Sequence, residues 1–121
     1  MAKILIVDDS KLARDIVGRS LEDAGHEVIG VDPISLYDVL KVVREGRPEL
    51  VITDYNMPNL SAESLVRALR EDQFLKGLRV MVLSANRDAE AVQSMLQRGV
   101  DGFAFKGNTA VLVERVREQL S

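Results

Sequence analysis

Leu50-Val51-Ile52-Thr53-Asp54-Tyr55-Asn56-Met57-Pro58 is the stretch that decides how this chain is read. A short apolar run ends at one carboxylate, and the asparagine and proline beyond it mark a turn. The same construction occurs three more times. Ile4-Leu5-Ile6-Val7 leads to the acid pair Asp8-Asp9, Val80-Met81-Val82-Leu83 leads to Ser84, and Phe103-Ala104-Phe105 leads to Lys106. Runs this continuous fit strands buried on both faces, as in a parallel sheet covered by helices. If the strands are parallel, their acids, hydroxyl and ammonium meet at one end of one sheet. Open α/β sheets bind ligands just beyond the carboxyl ends of their strands, so these charges read as a site.

Between the runs the apolar spacing becomes helical. Leu12, Ile16, Leu21 and Ala24 form one such series, and Leu36, Val39, Leu40 and Val43 another. Ala62, Leu65 and Leu69 continue the pattern, followed by Val92, Met95 and Leu96, then Leu112, Val113, Val116 and Leu120. Five helices thus alternate with five strands, which predicts a doubly wound α/β fold. The weakest strand, Val28-Ile29-Gly30-Val31, carries an internal glycine and belongs at a sheet edge. Gly25, Gly46, Gly77 and Gly99 are expected to cap the helices before them in the left-handed conformation. Ser10, Ser61, Thr109 and the pair Asp32-Pro33 are expected to open the helices after them. His26, the only histidine, precedes a strand and falls at the opposite end of the sheet from the charges.

Composition narrows the function classes. A chain of 121 residues is expected to form one domain, residues 1–121, without linker or repeat. With 46% hydrophobic and 29% charged residues and a net charge of −3, neither disorder nor membrane residence is suggested. No apolar run approaches the roughly 20 residues of a spanning helix, and no signal peptide opens the chain, so a cytoplasmic protein is expected. The absence of cysteine excludes disulfides, thiolate nucleophiles and Cys-ligated zinc. The absence of a basic cluster argues against direct nucleic-acid binding.

Three carboxylates brought together repel one another unless a cation or a raised pKa relieves them. Mg²⁺ suits Asp8, Asp9 and Asp54, because it takes oxygen ligands, keeps several waters and binds through a few carboxylates together with phosphate. Lys106 and Ser84 add a positive charge and a hydroxyl donor for phosphoryl oxygens. Asp54 is then the best placed nucleophile, forming an aspartyl phosphate. Each residue alone has an ordinary reading: Asp8-Asp9-Ser10 as a helix cap, Asp54 as a turn residue, Lys106 as a solvated strand end. Four strand ends supplying parts of one phosphate and metal site outweigh those separate readings.

At these residues the sequence resembles the receiver domain of two-component response regulators, most closely the CheY-like single-domain kind. Val7-Asp8-Asp9-Ser10, Thr53-Asp54-Tyr55-Asn56-Met57-Pro58, Leu83-Ser84-Ala85 and Phe105-Lys106 carry the resemblance, which covers the whole chain. It implies a flavodoxin-like sheet of order 2-1-3-4-5 flanked by five helices. It also implies that Asp54 accepts phosphoryl from a sensor histidine kinase or a histidine phosphotransfer protein. Asp9 and Asp54 would ligate Mg²⁺ directly, Asp8 through water and Asn56 through its backbone carbonyl. Ser84 would contact the phosphoryl oxygens, Lys106 would pair with the group, and Phe103 stands at the family's switch aromatic. Such a chain is a phosphoacceptor able to catalyse its own phosphorylation and dephosphorylation, and not an enzyme in the ordinary sense. It is expected as a monomer or a weak phosphorylation-dependent dimer, signalling to a protein target through helix 4, strand 5 and helix 5.

Two departures touch the output side: Gly107 replaces the proline usual after the lysine, and Phe103 lacks the hydroxyl of the frequent tyrosine. They keep open an alternative, a phosphorylation-independent interaction module. Other classes fit less well. A dehalogenase-type phosphatase wants acids two apart after the first strand, a flavin carrier wants a Ser/Thr/Gly-rich loop there, and dinucleotide binding wants Gly-x-Gly-x-x-Gly.

Overall fold

Five strands form one parallel sheet in the order β2-β1-β3-β4-β5. They are β1 (Lys3–Val7), β2 (Glu27–Val31), β3 (Leu50–Asp54), β4 (Arg79–Ser84) and β5 (Gly102–Phe105), in a computed structural model that describes residues 2–121, the side chain of Asn86 apart. The helices between them are α1 (Lys11–Asp23), α2 (Leu36–Gly46), α3 (Ala62–Glu71), α4 (Ala89–Met95) and α5 (Thr109–Leu120). Short 3-10 turns, Asn86–Asp88 and Leu96–Arg98, bracket α4. The order is that of the flavodoxin-like and CheY-like fold, and the glycine-bearing strand lies at the edge as its sequence predicts.

Side chains alternate across the strands and divide the core into two layers. Leu5, Val7, Val51, Val80 and Val82 face α2, α3 and α4, where they meet Val39, Val43, Leu65, Leu69, Val92 and Met95. Ile4, Ile6, Leu50, Ile52, Met81 and Leu83 face α1 and α5, where they meet Val17, Leu21, Leu112 and Val116. Each fully buried side chain of this size contributes about 1.5–3 kcal/mol relative to exposure, which fixes the register of every strand against its neighbour. That register sets Val7 beside Thr53, Asp54 beside Leu83, and Ser84 beside Phe105, so the carboxyl ends of β1, β3, β4 and β5 form one rim.

Several local expectations are corrected. Gly25 and Gly99 take positive φ at 98° and 104° as helix caps, but Gly46 and Gly77 do not. Gly46 lies inside α2 because a Cβ there would come 3.1 Å from Ile29 Cδ1, so the glycine serves the close approach of α2 to β2. The left-handed position falls on Arg47, at φ 48°. Gly77 lies well beyond the end of α3, in a turn where the Asp72 carboxylate accepts from the amide of Phe74. At the other ends, Ser10 and Ser61 cap α1 and α3 as expected. Ser35 caps α2 in place of Asp32-Pro33, and Asn108 caps α5 in place of Thr109, since each is the last extended residue with an acceptor before its helix. In α1 the buried face is Val17, Gly18 and Leu21, while Leu12 and Ile16 remain 69% and 50% exposed.

Arg70, on α3, ties the far end of the sheet together. Its guanidinium donates to the carbonyls of Gly99, Lys76 and Leu78 and pairs with Asp101, whose carboxylate also accepts from the amide of Val80.

Candidate functional site

The rim gathers the expected residues because each closes a strand whose register is set by the core. Asp54 is the last residue of β3 and Ser84 the last of β4, while Asp8 and Lys106 directly follow β1 and β5. Backbone bonds hold these exits in place: Asp8 N donates to Val31 O, Tyr55 N to Leu83 O and Lys106 N to Ser84 O, the last at 2.8 Å. Asp8, Asp9 and Asp54 each present an oxygen within 4.8 Å of the others, a set able to hold a metal ion. Asp9 is exposed, whereas Asp8 and Asp54 are buried, at 3% and 4% exposure.

The electrostatics of the cluster follow from this packing. Burial pushes the Asp8 carboxyl above the ordinary aspartate value, and the charges of Asp54 and Asp9 add to that push. The Ser10 amide, donating to Asp8 Oδ1 at 2.9 Å, and the Lys106 ammonium oppose it. Lys106 Nζ lies 2.8 Å from Asp54 Oδ1. This ammonium is the partner of the Asp54 oxygen, whereas the buried Ser84 Oγ has no hydrogen-bond partner. Buried polar groups are almost always paired. A hydroxyl without a partner, at the same rim as three acids and one ammonium, therefore fits an added cation and an added phosphoryl group.

Asn56 lies just past Asp54, and its side-chain amide donates to Asp88 Oδ2 at 2.8 Å, tying the β3–α3 loop to the start of α4. Beside it the Tyr55 hydroxyl donates to Glu63 at 3.3 Å. Burial and the Glu63 charge hold that hydroxyl above its ordinary pKa. Phe103 packs partly into the α4 layer and lies edge-on to Phe105, their centroids 5.5 Å apart, so both rings share one face while Lys106 reaches Asp54. Arg115 of α5 sits 5.8 Å over the Phe103 ring. On the opposite flank a groove of about 260 Å³ lined by Ile16, Val17, Leu83 and Leu112 opens beside Asp8 and Lys106. Gly107 takes φ 97° with open space where a Cβ would lie, and among the described residues no peptide bond is cis.

His26 accepts from the amide of Ala2 at 3.3 Å, near the start of β2 and away from this rim. Two residues of the site are not evident from sequence. Arg14 lies across Gly30 and donates to the carbonyl of Asp8 at 2.6 Å. Asp88 reaches Asn56. Both contacts cross between elements, and no local pattern encodes them.

The chain belongs to the response regulator receiver domain family, which it matches over residues 4–117. It is a CheY-like receiver, the phosphate-accepting signalling module of two-component response regulators. It is 33% identical over 117 residues to the chemotaxis protein CheY of Pseudomonas aeruginosa, covering 96% of this chain and 94% of that one. It is 32% identical over 118 residues to chemotaxis protein CheY-3 of Vibrio cholerae, covering 98% and 90%. The crystal structure of the chemotaxis response regulator CheY4 of Vibrio cholerae superposes with a TM-score of 0.85 at 29% identity, over 98% of both chains. A response regulator from Desulfuromonas acetoxidans does so with a TM-score of 0.85 at 25% identity, over 99% and 97%. No described helix is long and apolar enough to cross a membrane.

Proposed function

We propose that Asp54 is the phosphoacceptor of a two-component phosphorelay, taking phosphoryl from a phosphohistidine of a sensor histidine kinase or a histidine phosphotransfer protein. The observation that carries this is the buried Asp54 carboxylate at the end of β3, 2.8 Å from the Lys106 ammonium and within 4.8 Å of two further acids, at the rim that also holds the unpartnered Ser84 hydroxyl. An Asp54 oxygen attacks phosphorus, the P–N bond of the donor breaks, and its imidazole leaves with the electron pair and takes up a proton. Asp8, Asp9, Asp54 and the backbone carbonyl of Asn56 are the residues that would hold Mg²⁺, which when bound neutralises charge on the transferring phosphoryl group. Lys106 holds positive charge over the acceptor oxygen before and after transfer. Ser84 offers its hydroxyl to a phosphoryl oxygen once the β4–α4 loop closes on it.

The apolar groove between α1 and the β5–α5 loop, lined in part by the exposed Ile16, gives a protein donor a surface to bury beside the acceptor. The face of α4, β5 and α5, including Phe103 and Arg115, carries the output to a protein target. Labelling with a small phosphodonor and Mg²⁺ tests the reading. Wild type should gain a hydroxylamine-labile acyl phosphate, and Asp54→Asn should gain none. Wild type that stays unlabelled while still binding a partner would replace this reading with a phosphorylation-independent interaction module.

A further inference from the structure

Asp88 stands immediately before α4, where aspartate is among the strongest helix-capping residues. Its side chain makes no capping bond. Among the described side chains none accepts from the first-turn amides of α4, a helix of 7 residues that the 3-10 turn Asn86–Asp88 runs into directly. The carboxylate is committed elsewhere. Oδ2 accepts from Asn56 Nδ2 at 2.8 Å, with Arg87 Nε 3.9 Å away on the other side and the Asp88 side chain only 20% exposed. The bond joins the two loops that leave the rim at Asp54 and Ser84. It therefore restrains the segment that leads away from Ser84.

We propose that Asp88 is a two-position carboxylate that sets the balance between the inactive and activated arrangements. In the unphosphorylated protein it holds Asn56 and fixes the β4–α4 loop away from Asp54. On phosphorylation it releases Asn56 and turns back to cap α4. The two positions exclude each other, because Asp88 now has φ −98° and ψ 11°, outside the extended region that a capping residue takes, so a cap forms only after the β4–α4 loop has moved. The lock opposes the movement of Ser84 and the cap favours it. Asp88 touches no reacting atom; it is a positioning residue acting through Asn56 and through α4. The proposal rests on the phosphoacceptor reading above.

Two substitutions separate the positions. Asp88→Ser keeps a good cap but loses the reach to Asn56, and Asp88→Ala loses both. Beryllofluoride with Mg²⁺ serves as the phosphoryl probe, read by the backbone amide resonances of Ser84 and Ala85 and by the side-chain amide resonances of Asn56. Asp88→Ser should reach half conversion at about fivefold less beryllofluoride than wild type, the effect of one such hydrogen bond, while Asp88→Ala stays near wild type. The Asn56 side-chain signals of the wild type should move, on saturation, toward their position in Asp88→Ala without the probe. A purely structural role would shift both variants in the same direction. If wild type converts but the two variants titrate alike, or if the Asn56 side-chain signals stay still on saturation, the role of Asp88 is overturned. If wild type does not convert at all, the phosphoacceptor reading fails and the second position of Asp88 falls with it.

Discussion

The two flanks of Asp54 are built from opposite materials. Toward α1 and α5 the rim is apolar and open: Leu12 and Ile16 stand exposed on α1, and Ile16 lines a groove with Val17, Leu83 and Leu112. Toward α3 and α4 it is polar and tied shut by Asn56 on Asp88 and Tyr55 on Glu63. The difference follows from what each kind of contact does well. Apolar burial is non-directional and scales with area, so it accepts a visiting surface without rearrangement. Hydrogen bonds tolerate little change of distance or angle, so a pair of them holds one arrangement until a competing partner appears. One flank is suited to receiving a donor, and the other to changing state.

That contrast can be broken at three points, in order of expected effect. Ile16→Asp places a charge in the open flank. It should slow transfer from a cognate phosphohistidine protein by tenfold or more, because an apolar anchor worth roughly 1.5–3 kcal/mol is lost, while labelling by a small phosphodonor persists. Equal slowing with both donors, measured by single-turnover phosphotransfer, would deny the groove a docking role.

Phe103 tests the tied flank's outer edge. Phe103→Ala removes the ring under Arg115 and should weaken binding of the phosphorylated form to its target by about fivefold, consistent with roughly 1 kcal/mol for a partly exposed cation–π contact and its packing. Phe103→Tyr should bind like wild type. Titration calorimetry with both variants checks this, and wild-type affinity for Phe103→Ala would make the ring mere filler of the α4 layer.

The smallest effect concerns Asp8, which lies between the flanks. Its folded-state pKa is raised, so the folded state holds this proton more tightly than the unfolded one, and the associated stability is lost as pH rises through that raised value. Asp8→Asn keeps an oxygen for the Ser10 amide and removes the charge. At neutral pH in the absence of metal it should melt at a higher temperature than wild type. The gain should vanish as pH falls through the Asp8 titration, where wild type becomes neutral too. Thermal melts across that range would show whether crowding of carboxylates sets the stability of the rim.

Much of this architecture can be read from the chain because parallel strands covered on both faces appear as unbroken apolar runs. Val51-Ile52 and Val80-Met81-Val82-Leu83 announce themselves, and the charged residue at the end of each run announces the rim. The helices are less explicit. The spacing of Leu12 and Ile16 marks an apolar stripe, but only the sheet decides that Val17 and Leu21 are covered and those two are not. Gly46 looks like a helix stop, yet its meaning lies in the distance to Ile29 on another element. Asp88 looks like a cap and is engaged by Asn56, 32 residues away in sequence. Local rules describe what a residue can do, and tertiary contact chooses among those abilities.

Arg70 has a mechanical consequence. By gripping Gly99, Asp101 and the carbonyls before β4, it anchors the foot of α4 to the base of the sheet. The head of the same helix follows the 3-10 turn Asn86–Asp88, which the Asp88–Asn56 bond joins to the β3–α3 loop. A helix anchored at one end and lightly held at the other moves as a lever, with its fulcrum near Gly99 and its largest excursion near Ala89. Hydrogen exchange along α4 should accordingly quicken from foot to head, and a sub-ångström closure at Ser84 would reach the output face as a tilt rather than a slide.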